Sequence, residues 1–114
     1  MNSINLIGRL TRDPELRGGD TKKVCKLRLA IPRRRKTGED QGAVFVDVTA
    51  FDRQAELCAE YLAKGRQVAV SGRLEYGEYT DAENNPRSRH EVIADNVQFL
   101  GAPQEASDEA EPDL

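Results

Sequence analysis

The sequence has few of the residues on which catalytic and metal-binding sites depend. Its 114 residues contain one histidine, two cysteines and no tryptophan. Cys25 and Cys58 lack the close spacing of a metal or redox motif, and His90 has no second histidine to share a metal ion with. A glycine-rich phosphate loop and a recognisable catalytic constellation are also missing. The sequence therefore predicts a protein that is not an enzyme and that uses no metal and no cofactor.

Long apolar runs are absent as well. No stretch approaches the roughly 20 apolar residues of a membrane-spanning helix. Arg9 and Arg12 interrupt the only early apolar stretch, which argues against a signal peptide. A chain of 114 residues is long enough to bury one core but too short for two. We therefore expect a cytoplasmic protein with one folded domain and no membrane contact, whose two cysteines are buried thiols.

Basic side chains are missing from the end of the chain. Residues 101–114 contain five acidic side chains and no Lys or Arg, which leaves 17 basic against 15 acidic groups in residues 1–100. The net charge of −3 therefore combines a body of +2 with a tail of −5, and it does not argue against a polyanionic partner. The tail has no apolar residue larger than Ala before Leu114. We predict a folded domain over 1–100 and a disordered acidic tail over 101–114.

Apolar and polar residues alternate with a period of two over most of the body. This pattern predicts five strands, over residues 2–10, Val24–Ile31, Val44–Phe51, Val68–Tyr79 and Glu91–Leu100. A helix is predicted over Arg53–Ala63, with Gly65 as its C-terminal stop. Five strands with one helix between the third and the fourth is the order of the OB-fold, a five-stranded Greek-key barrel. We therefore predict an all-β domain with one short helix and extended β-hairpin loops.

The same alternation predicts which aromatic side chains are exposed. Phe45 and Phe51 share a half-polar face of the third strand, opposite three valines. Tyr79 is surrounded by polar neighbours in the sequence. We expect these three rings at the surface, whereas Phe99 and Tyr61 are expected in the core.

The densest basic cluster is the run Arg33, Arg34, Arg35 and Lys36, between the second and the third predicted strands. Four adjacent cations repel one another and gain little from folding. A polyanionic ligand is the simplest reason for such a run, and a solvated loop is the alternative.

Several separated motifs resemble the bacterial single-stranded DNA-binding protein family in their order and spacing. In chain order they are Gly8-Arg9-Leu10, Asp13-Pro14-Glu15-Leu16-Arg17, Leu29-Ala30, Ala55-Glu56, Tyr61-Leu62, Lys64-Gly65 and Gly72-Arg73-Leu74. The resemblance implies an OB-fold and a homotetramer around which single-stranded DNA wraps. It also implies sequence-tolerant binding and protection of that DNA during replication, recombination or repair, close to the nucleoid.

The resemblance implies roles for particular side chains. By position, bases would stack on Phe45, Phe51 and Tyr79, and phosphates would contact Arg53 and Lys64. Four further cations are candidates for phosphate contacts: Arg9, Arg12, Arg28 and Arg73.

The chain also departs from the family pattern. The family often stacks nucleobases on Trp, which is absent here. Acidic Asp47 and Glu78 occupy positions where the family often has a basic residue. The tail ends on Asp113-Leu114 without the terminal Phe that docks into replication and repair enzymes, so these two residues are the candidates for a weaker partner contact. These departures favour a short, specialised paralogue. The alternative function is that of a primosome-type or RNA-binding OB-fold protein.

Overall fold

The computed structural model of the protein describes residues 1–18, 22–33 and 42–101. These residues form six strands and one helix. In chain order they are β1 (Ile4–Leu10), β2 (Glu15–Gly18), β3 (Lys23–Pro32), β4 (Ala43–Phe51), α1 (Asp52–Tyr61), β5 (Gln67–Thr80) and β6 (Pro86–Leu100).

Five of the strands close into a barrel. β1 pairs antiparallel with β5, β5 with β6, and β3 with β4, whereas β4 and β6 run parallel. β1 completes the ring by pairing with β3 through Arg9↔Ala30 and Leu10↔Leu29. The short strand β2 lies outside this ring as an antiparallel partner of β3. The closed five-stranded barrel with one helix is the predicted OB-fold.

The barrel interior is filled by alternate residues of its strands. On β3, Cys25, Leu27 and Leu29 are buried, while the intervening Lys26 and Arg28 lie on the outer face. The same alternation buries every second apolar residue of β1 and of the first half of β5. β3 therefore has one apolar face and one basic face.

Helix α1 covers the core with Ala55 and Cys58, and Leu62 follows it into the core. The prediction that Tyr61 is a core residue is wrong, because its side chain is 55% exposed. The helix ends at Tyr61, the chain continues extended from Leu62, and the Leu62 side chain takes the interior position. Phe99, in contrast, packs against the core as predicted.

Both cysteines are free and fully buried, as predicted. Burial raises the pKa of the Cys58 thiol to about 12 and also raises the pKa of Cys25. Because a thiolate is the reactive form of cysteine, both side chains act here as small apolar core residues.

The end of the helix differs from the prediction. Gly65 is not the helix stop, because the helix has already ended at Tyr61. The Leu62 N–H still donates to the Cys58 carbonyl at 3.0 Å, and Leu62 is extended. Gly65 instead forms the turn before β5, with a φ of 93° that favours glycine and an N–H that donates to the Leu10 carbonyl at 2.9 Å.

Strands β5 and β6 form a long hairpin that projects from the barrel. Their pairing runs from Gln67↔Leu100 to Thr80↔Pro86, so β6 begins five residues before the predicted Glu91. From Arg73 to Thr80 every residue of β5 is exposed. The projecting half of β5 lies within the predicted strand Val68–Tyr79, but residues 86–90 of β6 were missed, because they are exposed on both faces and lack the apolar alternation that marks a strand. The short β2 was missed for the same reason, since all four of its residues are exposed.

The hairpin bends at a β-bulge beside Gly72. The register shifts between Ser71 and Gly72, where Ser71 pairs with Asn96 and Gly72 with Ala94. A Cβ atom at Gly72 would lie 2.0 Å from the carbonyl oxygen of Ile93. Only glycine lets the two backbones approach this closely, and the bulge directs the hairpin away from the barrel.

We expect Gly72→Ala to lower the free energy of unfolding by about 1–3 kcal/mol, because the added methyl group forces the β5 and β6 backbones apart. The measurement is chemical denaturation followed by circular dichroism. Gly77→Ala on the same strand is the matched control, since a Cβ at Gly77 meets nothing within 4 Å. Equal stabilities of the two variants would contradict the close approach at Gly72.

Candidate nucleic-acid interface

The outer faces of β3, β4 and β6 form one continuous polar and aromatic surface, which we call the outer face. Directly paired residues of adjacent strands share a face, and Lys26↔Thr49 and Arg28↔Asp47 pair in this way between β3 and β4. Strand β6 adds Glu91, whose carboxylate accepts a hydrogen bond from the Thr49 hydroxyl at 2.7 Å. The parallel contact of β4 with β6 therefore brings charged groups of β3, β4 and β6 onto one surface.

The three predicted stacking rings are all exposed, as expected. The exposed fractions are 54% for Phe45, 40% for Phe51 and 51% for Tyr79. Phe45 and Phe51 lie on the same side of β4, at opposite ends of the strand. The Arg28 guanidinium lies 5.4 Å from the centre of the Phe45 ring, in a cation–π arrangement. Contact of these rings with bases stays a prediction.

Phe51 and Tyr79 come together in a groove of about 500 Å³ between the end of β4 and the projecting hairpin, which we call the aromatic groove. Arg73 and Arg89 line it from β5 and β6. Exposed aromatic rings and guanidinium groups that line one groove are the combination that can hold a base and its phosphate.

Tyr76 is an exposed aromatic residue of the same groove that the sequence analysis did not assign to the site. Its ring centre lies 4.9 Å from that of His90, its partner across the hairpin, and its hydroxyl donates to Glu78 at 3.0 Å. Glu78 occupies a position where the family pattern often has a basic residue. Its carboxylate here orients the Tyr76 hydroxyl.

A chain of ion pairs runs across the outer face. The Arg28 guanidinium contacts the Asp47 carboxylate at 2.9 Å, and the Arg89 guanidinium lies 4.0 Å from Asp47 and 3.4 Å from Glu91. The Lys26 ammonium group lies 3.6 Å from Glu91 and donates to the Thr49 hydroxyl at 3.1 Å. We call these five charged residues the ion-pair ladder: Lys26, Arg28, Asp47, Arg89 and Glu91. Three cations thus face two carboxylates.

Two members of this ladder, Lys26 and Arg89, were missed as site residues. Lys26 matches none of the family motifs found in the sequence. Arg89 was overlooked because β6 was predicted to begin at Glu91. Period-two alternation back from Ile93 through Glu91 would have placed Arg89 on the same face as the groove.

Arg12 and Arg73 lie beside this surface. Arg12 lines a smaller groove of about 180 Å³ together with Lys26, Asp47 and Arg89. Arg73 forms ion pairs with Glu75 at 3.2 Å and with Asp95 at 3.6 Å.

Three other predicted phosphate contacts are exposed but line neither of these grooves. Arg9 on β1 donates to the Gly65 carbonyl at 3.0 Å. Arg53, in the first turn of α1, reaches Glu56 at 3.5 Å. The backbone N–H of Lys64 donates to Asp13, and the Lys64 residue is exposed.

Part of the predicted site lies outside the described residues. Of the basic run, Arg33 is exposed directly after β3, whereas Arg34, Arg35 and Lys36 fall within residues 34–41. The proposed partner contacts Asp113 and Leu114 fall within residues 102–114.

Asp81 organises the tip of the hairpin. Its carboxylate accepts hydrogen bonds from the backbone N–H groups of Glu83 and Asn85, each at 2.9 Å, and from the Arg87 guanidinium at 2.8 Å. These bonds, with that of Arg87 the largest contribution, lower the pKa of Asp81 below its usual value of 3.8. The tip is therefore held in one conformation beside Tyr79, which pairs with Arg87.

Within the ranges that the structure describes, no group of three or more His, Cys, Asp or Glu side chains is arranged to hold a metal ion. No helix among the same residues is long and apolar enough to cross a membrane.

Comparison with known proteins identifies the family. The single-strand binding protein family model matches residues 1–100. A single-stranded DNA-binding protein of Treponema pallidum is 43% identical over 108 residues, which cover 90% of this chain and 59% of that protein. Single-stranded DNA-binding protein 1 of Clostridium acetobutylicum is 39% identical over 109 residues, covering 93% of this chain and 99% of that protein. Single-stranded DNA-binding protein 3 of the same organism is 40% identical, with 88% of this chain and 71% of that protein covered.

The chain therefore belongs to the single-strand binding protein family. This confirms the family predicted from the separated sequence motifs, and with it the class of a non-enzymatic binding protein. The chain spans 59% of the Treponema relative but nearly the whole of Clostridium protein 1, so the family includes members that extend little beyond the matched region.

The lowered pKa of Asp81 predicts a pH effect at the hairpin tip. A depressed folded-state pKa means that the contribution of Asp81 to folding is complete above pH 3.8 and is lost as the pH falls through the lower folded value. An NMR titration of the Asp81 carboxyl carbon should show a midpoint below 3.8, and Arg87→Gln should move it upward. A midpoint at or above 3.8 in the unmodified protein would contradict the bonding described here.

Proposed function

We propose that this chain binds and protects single-stranded DNA with little sequence preference, as part of DNA replication, recombination or repair. The observation that supports this most directly is the sharing of one surface by exposed aromatic rings and partly exposed cations. Phe45 and Phe51 stand at the two ends of β4, Tyr79 lines the aromatic groove together with Phe51 and Arg89, and Arg28 lies beside Phe45.

Each component of this surface suits a different part of a nucleotide. Every base has an apolar face that can stack on an aromatic ring, so stacking tolerates any sequence. The guanidinium groups of Arg28, Arg73 and Arg89 suit phosphate oxygens. In a duplex the faces of the bases are covered by stacking on the neighbouring base pairs, so this surface favours an unpaired strand.

The remaining predicted cations extend the phosphate path in this proposal. Arg12 is exposed beside the ion-pair ladder, Arg33 is exposed at the end of β3, and Arg34, Arg35 and Lys36 follow Arg33 in the sequence. Arg9, Arg53 and Lys64 would contact DNA that continues around the barrel.

We assign this activity to a domain over residues 1–100 and propose a disordered acidic tail over 101–114. The tail carries a charge of −5, and Asp113 and Leu114 would provide its contact with replication or repair proteins. Its substrate would locate the protein in the cytoplasm, at the nucleoid.

We further propose a homotetramer. Members of the family act as oligomers, and Ile7 on β1 is 55% exposed beside a groove that is also lined by Ala30, Pro32 and Ala43. An apolar surface of this kind, opposite in character to the charged outer face, suits contact between subunits.

A titration with four nucleic acids tests the proposed function. We expect oligo-dT and a mixed-sequence single strand to bind alike, with an affinity that falls steeply as the salt concentration rises. Duplex DNA of the same length should bind far more weakly, because its bases are not free to stack. Fluorescence anisotropy over a salt series measures all of these. Equal binding of duplex and single strand would contradict the proposal, and preference for oligo-U would favour the RNA-binding alternative.

The aromatic rings provide the second test. Phe45→Ala and Tyr79→Ala should each weaken the binding of oligo-dT by about 1–3 kcal/mol, the value typical of one stacked base. Both rings are half exposed, so the melting temperature should change little. Tyr61→Ala is the matched control, since Tyr61 is equally exposed but lies at the end of α1. If the Tyr61 variant lost as much affinity as the others, stacking at the outer face would be refuted.

A further inference from the structure

The cations of the outer face are not free in the structure described here. The two guanidinium groups and the ammonium group of the ion-pair ladder all contact Asp47 or Glu91, at 2.9–4.0 Å. Because three cations face two carboxylates, the net charge of the ladder is about +1. The three cations alone, with a charge of +3, would attract the phosphates of DNA more strongly.

The ladder also lies across the route that a bound strand would follow. Phe45 and Phe51 are six residues apart on β4, a separation of about 20 Å in an extended strand. Asp47 and Thr49 lie between them on the same face, with the two ladder cations of β3 on one side and Arg89 of β6 on the other. A DNA strand whose bases stack on both rings must therefore carry its phosphates over the ladder.

We propose that Asp47 and Glu91 act as competitors of phosphate that are built into the binding surface, and that they thereby limit the affinity for single-stranded DNA. This inference rests on the proposed function of the outer face. On binding, a phosphate oxygen replaces a carboxylate oxygen at Arg28, Arg89 or Lys26. The carboxylates then become unpaired and face the polyanion.

The exposure of the ladder makes this exchange feasible. Side-chain exposure is 38% for Arg28 and 34% for Asp47, so both partners are within reach of solvent and of a phosphate group. Ion pairs at this degree of exposure are weak and screened by salt. They reduce the charge that DNA encounters without blocking access to it.

The two carboxylates differ in what else they do. Glu91 also accepts the Thr49 hydrogen bond at the seam between β4 and β6, so its replacement alters the closure of the barrel. Asp47 contacts Arg28 and Arg89 without such a bond to the seam. Asp47→Asn is therefore the sharper variant, since it removes one charge and keeps the shape of the side chain.

The experiment compares full-length Asp47→Asn with the unmodified protein in oligo-dT titrations from low to high salt. We expect about 2- to 5-fold tighter binding at low salt, which is the effect of freeing roughly one cation from a weak ion pair. The logarithm of affinity should also fall more steeply with the logarithm of salt concentration, by up to about 0.7 in slope for one additional phosphate contact. The gain should vanish at high salt.

Glu60→Gln is the matched control, because it removes the same charge from an exposed residue of α1 that forms no ion pair with the residues that the structure describes. It should change the affinity less than twofold. The double variant Arg28→Gln, Asp47→Asn shows which arginine is released. In protein that carries Arg28→Gln, the gain in affinity from Asp47→Asn should be smaller, because only Arg89 is then freed from Asp47.

Each outcome decides the inference. If Asp47→Asn binds no more tightly than Glu60→Gln, the ladder does not compete with phosphate. If Asp47→Asn binds more weakly, the carboxylate instead orients the cations for DNA, which also overturns the inference. If the unmodified protein fails to bind oligo-dT, the proposed function itself fails, and this result is distinct from the other two.

Discussion

The arrangement of the outer face depends on a short seam between β4 and β6. Only two residue pairs, Val48↔Val92 and Thr49↔Ile93, join these parallel strands. Parallel strands are normally covered by packed side chains on both faces, and here buried Val48 and Val92 pack on the face toward the core. On the outer side, the buried Thr49 hydroxyl donates to Glu91 and accepts from Lys26. Without this seam, the β6 cations would not lie beside the β4 rings.

The sequence predicted the barrel well because its alternation is strong wherever one face is buried. Cys25, Leu27 and Leu29 on β3 give a clear period of two, and the strand was found within one residue at each end. The long strand β5 was also found within one residue at each end, whereas residues 86–90 of β6 were missed by the same reasoning, since both of their faces are exposed. Tyr61 shows a different limit: a helical repeat gives the direction of each side chain but not the residue at which the helix ends.

The exposed rings of the candidate site were predictable one by one, but Lys26, Arg89 and the arrangement of the site were not. Exposure of Phe45 and Phe51 followed from the strand pattern, and the surface position of Tyr79 followed from its polar neighbours. The pairing of Asp47 with two arginines could not be predicted from the sequence. Arg28 and Arg89 lie on strands that are far apart in sequence and that meet β4 from opposite sides. In the sequence, Asp47 is an acidic residue at a position where the family often has a basic one. In the fold it is the centre of the ion-pair ladder.

The closure of the barrel and the charge of the outer face are thus carried partly by the same side chains. Glu91 stabilises the seam through Thr49 and at the same time pairs with Lys26 and Arg89. A substitution that removed its charge would release cations and also leave the nearly buried Thr49 hydroxyl without its acceptor, which costs stability. Asp47 carries no such second role, so the charge of this surface can vary there without loss of the fold. Variation in DNA affinity among proteins with this barrel is therefore expected at the position of Asp47 sooner than at that of Glu91.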